Sequence, residues 1–161
     1  MGHQKVFVLD GGLKEWINLG YPAVNKNEEC FEQGNFEAKL QPGLLSNFQG
    51  VKLNVEINTA LVVDARSALR FKGEAPEPRE GLRSGNIPNS CNSHYASLLD
   101  KGKYKSKEIL QQLFERIENE KELIFTCGSG ITACILYLAA SELIQAKLSV
   151  YDGSWTECGS R

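Results

Sequence analysis

Histidine is almost missing from this chain: His3 and His94 are the only two in 161 residues. A nucleophile that depends on an imidazole base has little to draw on, because His3 lies in the first few residues, where chains fray. An excess of either charge is missing too. Eighteen Lys and Arg are interspersed with twenty Asp and Glu, a formal charge of −2, and no basic stripe exists to follow a phosphate backbone. Nucleic acid is therefore excluded as an expected partner. The uncharged stretch around Ile131–Ala140 falls well short of the ~20 apolar residues a membrane span needs, and Asp10 interrupts the N-terminal apolar run before a signal sequence develops. Cysteines number five, Cys30, Cys91, Cys127, Cys134 and Cys158, an odd set without a C-x-x-C pair. That excludes a disulfide framework and a thiolate metal site, and it fits reduced thiols in a cytoplasmic protein. No metal and no cofactor is expected.

What is present suits one well-buried α/β domain with a mostly parallel central sheet flanked by helices. The pattern predicts a strand over residues 5–10 (KVFVLD), then a short helix with Leu13, Trp16, Ile17 and Leu19 at near-helical spacing, closed by Gly20 and Pro22. Residues 25–35 are polar and aperiodic and read as a linker, and residues 36–58 predict one short strand and one poor helix. ALVVDAR predicts a buried strand over 60–64 that ends in a polar pair, Asp64 and Arg66. The run from Lys72 to Asn89 holds three prolines and three glycines, and a loop of that length inside one domain is more often functional than idle. A helix follows over 106–119, then the strand ELIFT, an apolar and hence buried helix from Thr132, and a last strand, KLSVYD.

VFVLDGGLKEW at 6–16 and LSVYDGSWTEC at 148–158 echo each other at a constant offset of 142, matching at Val8/Val150, Asp10/Asp152, Gly11/Gly153 and Glu15/Glu157. Both stretches close the same kind of strand, Asp-Gly turn and helix start. The expectation is one whole module over 36–161 preceded, in residues 1–24, by the C-terminal tail of a truncated first module.

The chemistry concentrates in TCGSGITAC, Thr126 to Cys134, between a strand and a helix. Glycines there let backbone N–H groups crowd around one point, and the helix start behind it favours an anion. A P-loop needs Lys followed by Ser or Thr where Ile131 and Thr132 stand, and a cysteine phosphatase needs Arg where Ala133 stands. What survives is a thiolate at Cys127 that needs no dedicated base, suited to attack on soft sulfur and to holding a persulfide. The competing reading is a cysteine merely buried at a strand end. For Cys134, inside the apolar helix, the packing role is the expected one, and Cys30, Cys91 and Cys158 have no context that argues for chemistry.

VVDAR at 62–66, RFKGEAPEPREGLRSGNIPNS at 70–90, the loop at 127–133 and YDGSWTE at 151–157 together resemble the second domain of two-domain rhodanese-type sulfurtransferases. CGSGITAC resembles the mercaptopyruvate version of their active-site loop, and residues 8–16 resemble the end of a first domain. The resemblance implies a rhodanese-like fold and a sulfurtransferase in which Cys127 carries the persulfide. It implies that Arg70 and Arg79 grip the carboxylate and ketone of the donor. By itself each arginine would read as a solvated surface charge. Gly128, Ser129, Gly130, Ile131 and Thr132 form the substrate-binding loop, with Ser129 either a hydrogen-bond donor to substrate or a small residue in a tight turn. Asp64, Arg66 and Trp155 are implied structural supports. Neutral Gly128 and Ser129 suit a monoanionic 2-oxo acid better than the dianion thiosulfate. The acceptor is a thiol, cyanide or sulfite. A thioredoxin-like reductant, or a chain supplying the first domain, is the expected partner, and a persulfide carrier or a poorly active fragment is the alternative. Two departures stand out: Gly85-Asn86-Ile87-Pro88-Asn89 replaces the family's G-H-I-P-G, which predicts a looser loop, and Cys158 stands where a tryptophan is common.

Overall fold

The computed structural model describes residues 1–25 and 33–161, and most of the linker expected at 25–35 lies outside the described residues. In chain order the elements are α1 (Gly12–Asn18), β1 (Leu45–Ser46), α2 (Phe48–Ile57), β2 (Leu61–Asp64), α3 (Ala68–Lys72), β3 (Ser90–Asn92), β4 (Leu99–Asp100), β5 (Lys103–Tyr104), α4 (Lys107–Phe114), β6 (Glu122–Thr126), α5 (Ala133–Ser141), β7 (Lys147–Tyr151) and α6 (Ser154–Gly159). Five strands form one parallel sheet in the order β1-β7-β6-β2-β3, and β4 and β5 make a small antiparallel ribbon. The α/β class with a mostly parallel sheet is what the alternating pattern predicts.

Consecutive strand residues point to opposite faces, so the runs VV in β2 and IF in β6 feed two cores at once. Val63, Leu123, Phe125 and Cys127 pack on one side with Phe114 of α4 and Leu136 of α5. Val62, Ile124 and Tyr151 pack on the other with Val51 of α2 and Trp155 of α6. The register pairs Val63 with Phe125 and Asp64 with Thr126, and Ala65 N–H donates to Thr126 O at 2.8 Å. The polar ends of β2 and β6 therefore emerge together at the carboxyl edge of the sheet, where open α/β folds place their ligands.

Several expectations change. Residues 5–10 form no strand, and Phe7 is 91% exposed; strand propensity without a neighbouring strand gives the backbone no ladder to join. The echo with 148–158 thus holds for turn and helix but not for the strand. Helix α4 stops at Phe114 instead of running to 119, with Ile117 N–H turning back to Phe114 O at 2.8 Å. Helix α5 buries only one face (Ala133, Leu136, Ala139, Ala140), so Cys134 is exposed and not a core residue. The spacing 133, 136, 140 shows why: an apolar run still has a single inner stripe. Helix α3 and strands β3, β4 and β5 are too short to leave a periodic signal. Among the described residues, no helix is long and apolar enough to cross a membrane.

Candidate active site

Strand β6 delivers Cys127 to the carboxyl edge of the sheet, 2% exposed, and α5 starts six residues later. The back of the loop is held by α6. Cys127 N–H donates to Ser154 Oγ at 3.1 Å, and Cys127 O accepts from Trp155 N–H at 3.0 Å. Gly128 O accepts from Thr156 N–H at 2.9 Å and from Thr156 Oγ1 at 2.6 Å. Gly130 turns the chain at φ +84°, and a Cβ there would lie 3.0 Å from Asp152 O, so only glycine fits. With its outer groups tied down, the loop directs the N–H groups of Ser129, Thr132 and Ala133, and the Thr132 hydroxyl, onto the sulfur. Burial pushes the Cys127 thiol up, but the Thr132 hydroxyl and those three N–H groups outweigh it and hold it below an ordinary cysteine. The thiols of Cys91 and Cys158 are pushed up, chiefly by burial. Among the described cysteines, only Cys127 has its thiol held below the ordinary value.

Arg70 and Arg79 open onto the same cleft as Cys127, Gly128, Ser129, Ile131 and Thr132, a cavity of about 290 Å³. Arg70 sits on α3 and not on the long loop; Gly73 at φ +78° ends that helix. Its Nη2 reaches within 3.0 Å of where a Gly128 Cβ would stand, so a side chain at 128 would press on the Arg70 guanidinium. Gly130 faces Asp152 and does not line the cleft, so its part is to shape the turn. Ile131 is 75% exposed on the rim.

Asp64 and Arg66 form the expected ion pair, fully buried, with Arg66 Nη2 2.7 Å from Asp64 Oδ2. Arg66 Nη2 also donates to Gly85 O at 2.8 Å, and its guanidinium stacks on Trp155 at 4.7 Å. Trp155 in turn donates Nε1–H to Arg83 O at 2.9 Å, so one buried arginine and one tryptophan brace the 72–89 loop against the loop that carries Cys127. Sequence reasoning missed Glu77, which accepts from both Arg66 (2.7 Å) and Arg70 (2.6 Å). It also missed Thr156, which accepts from Arg79 Nη1 at 3.3 Å. Ser154, in the left-handed region at φ +49°, is a third. The loop expected to be looser carries ties of its own: Asn86 donates to Phe71 O at 3.0 Å, and Asn89 adopts φ +59°, a conformation asparagine tolerates where glycine is usual. His94 stacks edge-on against Tyr95 outside this cleft.

A parallel α/β sheet thus carries Cys127 at its carboxyl edge, its thiol held below an ordinary cysteine, with two arginines opening onto the same cleft. The rhodanese-like domain family matches residues 48–160, and the chain belongs to that family. It is 38% identical to the 3-mercaptopyruvate sulfurtransferase of Mus musculus over 159 residues, which are 97% of this chain and 53% of that protein. It is 40% identical to the thiosulfate sulfurtransferase of Gallus gallus, across 97% of this chain and 54% of that one. The crystal structure of a 3-mercaptopyruvate sulfotransferase from Escherichia coli superposes with a TM-score of 0.76 at 32% identity, covering 96% of this chain and 58% of that one. The chain spans about half the length of the curated relatives it matches.

Proposed function

We propose that residues 36–161 form a sulfurtransferase unit that takes sulfur from 3-mercaptopyruvate onto Cys127 and passes it to a thiol, cyanide or sulfite. The observation that carries this is the meeting in one cleft of Cys127, whose thiol is held below the ordinary value, with Arg70 and Arg79. Identity to the mouse and chicken enzymes is nearly equal, so the choice of donor rests on the residues of the loop. Neutral Gly128 and Ser129 favour a 2-oxo acid monoanion over thiosulfate.

Arg70 and Arg79 hold the donor's carboxylate and ketone while the Cys127 thiolate attacks its thiol sulfur. The new S–S bond forms as the C–S bond breaks, and the electron pair goes to the carbon as pyruvate enolate, which takes up a proton. The persulfide's outer sulfur then sits among the N–H groups of Ser129, Thr132 and Ala133, with the Ser129 side chain at the cleft wall. An acceptor thiol, supplied by a thioredoxin-like reductant in the cytosol, attacks that sulfur and releases Cys127 as a thiolate. Residues 1–24 read as a segment that packs on a further rhodanese-like module; the exposure of Val6, Phe7, Leu13 and Ile17 supports this.

Incubation with 3-mercaptopyruvate should release pyruvate and add one sulfur to Cys127 by mass spectrometry. Cys127→Ser should do neither, and Arg70→Ala or Arg79→Ala should lower kcat/KM by about 10²-fold, as expected when a charge-assisted contact to substrate is lost. Failure of the wild-type protein to gain sulfur from either mercaptopyruvate or thiosulfate would overturn the proposal.

A further inference from the structure

Among the described residues Glu77 is the one acidic side chain lining the cleft, and its side chain is 2% exposed. Both oxygens are occupied: Oε1 accepts from Arg66 Nη1 at 2.7 Å and from Arg70 Nε at 3.3 Å, and Oε2 accepts from Arg70 Nη2 at 2.6 Å. Arg66 is already matched by Asp64 at 2.7 Å. The negative charge of Glu77 therefore falls mainly on Arg70, and Arg79 is left as the lining cation without a paired carboxylate. The same grip fixes the edge of the Arg70 guanidinium over Gly128 and leaves Nη1 without a protein acceptor among the described residues.

We propose that Glu77 is a specificity-determining residue that sets the charge of donor the cleft accepts, an inference that rests on the sulfurtransferase reading above. Acting through Arg70, it lowers the cleft's net charge by one and tunes it to a singly charged donor. A dianion brought beside the Cys127 thiolate would meet one cation too few. Removing the carboxylate's charge frees a second cation and turns the preference toward dianions.

The test compares kcat/KM for 3-mercaptopyruvate and for thiosulfate in wild type and Glu77→Gln. The ratio of the two should fall about tenfold, the effect of one unit charge ~7 Å from the donor at an effective dielectric of ~35. A readout independent of turnover is the alkylation of Cys127 by anionic iodoacetate relative to neutral iodoacetamide, which should rise in the variant; a merely structural role would leave that ratio alone. A wild type that turns over neither donor defeats the proposed function and this inference with it. An active wild type whose donor ratio changes less than twofold in Glu77→Gln defeats the inference alone. If Glu77→Gln fails to fold, Glu77→Asp keeps the charge but cannot span both arginines. Both kcat/KM values should then fall together with their ratio unchanged, and a shifted ratio would refute the charge argument.

Discussion

Replacing Thr132 with valine tests the cradle most directly, because it removes one of the four groups on the Cys127 sulfur without changing side-chain shape or backbone. Hydrogen bonds to charged groups contribute about 1.5–3 kcal/mol. Thr132 is only half-buried, so water recovers part of that, and a loss of about 1.4 kcal/mol raises the Cys127 pKa by about one unit. Below both pKa values the thiolate fraction falls about tenfold, while the more basic thiolate is intrinsically about threefold more reactive at a Brønsted slope of ~0.4–0.5. The net expectation in that pH range is a three- to fourfold slower reaction with a neutral disulfide such as dithiodipyridine. Above the variant's pKa the order reverses and the variant reacts about threefold faster. The assay is the pH–rate profile of Cys127, resolved from Cys134 by peptide mass spectrometry. Profiles that coincide within 0.3 pH units, or run parallel without crossing, would show that the hydroxyl does not hold the thiolate.

Gly130→Ala should lower stability by about 2 kcal/mol in denaturant titration, since the new methyl meets Asp152 O at 3.0 Å with φ at +84°. Asp64→Asn leaves Arg66 buried with Glu77 as its one remaining carboxylate, and the loss should reach about 3 kcal/mol by the same measurement, with midpoint and not slope changed. The folded-state pKa of Cys127 is depressed, so its thiolate adds stability that is full above the unfolded value and vanishes as pH falls through the folded value. The stability gap between wild type and Cys127→Ser should therefore widen as pH rises through that window, in chemical denaturation followed at several pH values.

The parts of this molecule that were legible are those whose signal is local. ALVV, ELIFT and KLSVY are buried on both faces of a parallel sheet and so carry unbroken apolar runs that any reading finds. The cysteine loop was legible because glycine spacing and the following helix say where N–H groups gather. KVFVLD misled for the reverse reason: its composition fits a strand, yet strand formation is decided by a neighbour that the run itself does not encode. Glu77 was invisible because it lies between Pro76 and Pro78, where no periodicity marks a buried position, and its meaning comes only from Arg66 and Arg70, eleven and seven residues earlier.

Thr156 and Ser154 show why a loop quoted alone is half a site. TCGSGITAC supplies the groups that face the sulfur, but a glycine-rich turn is free to point its N–H groups elsewhere. What fixes them is the start of α6, 27 and 28 residues on, where the Ser154 hydroxyl takes the N–H of Cys127 and Thr156 takes the carbonyl of Gly128. Once those outward groups are occupied, the inward N–H groups have one anion left to serve. The same Thr156 hydroxyl also accepts from Arg79, so the residue that locks the cradle also positions one of the two arginines. The Cys127 loop and the Arg79 guanidinium are thereby linked through a single side chain, and a loosened α6 would disturb both together.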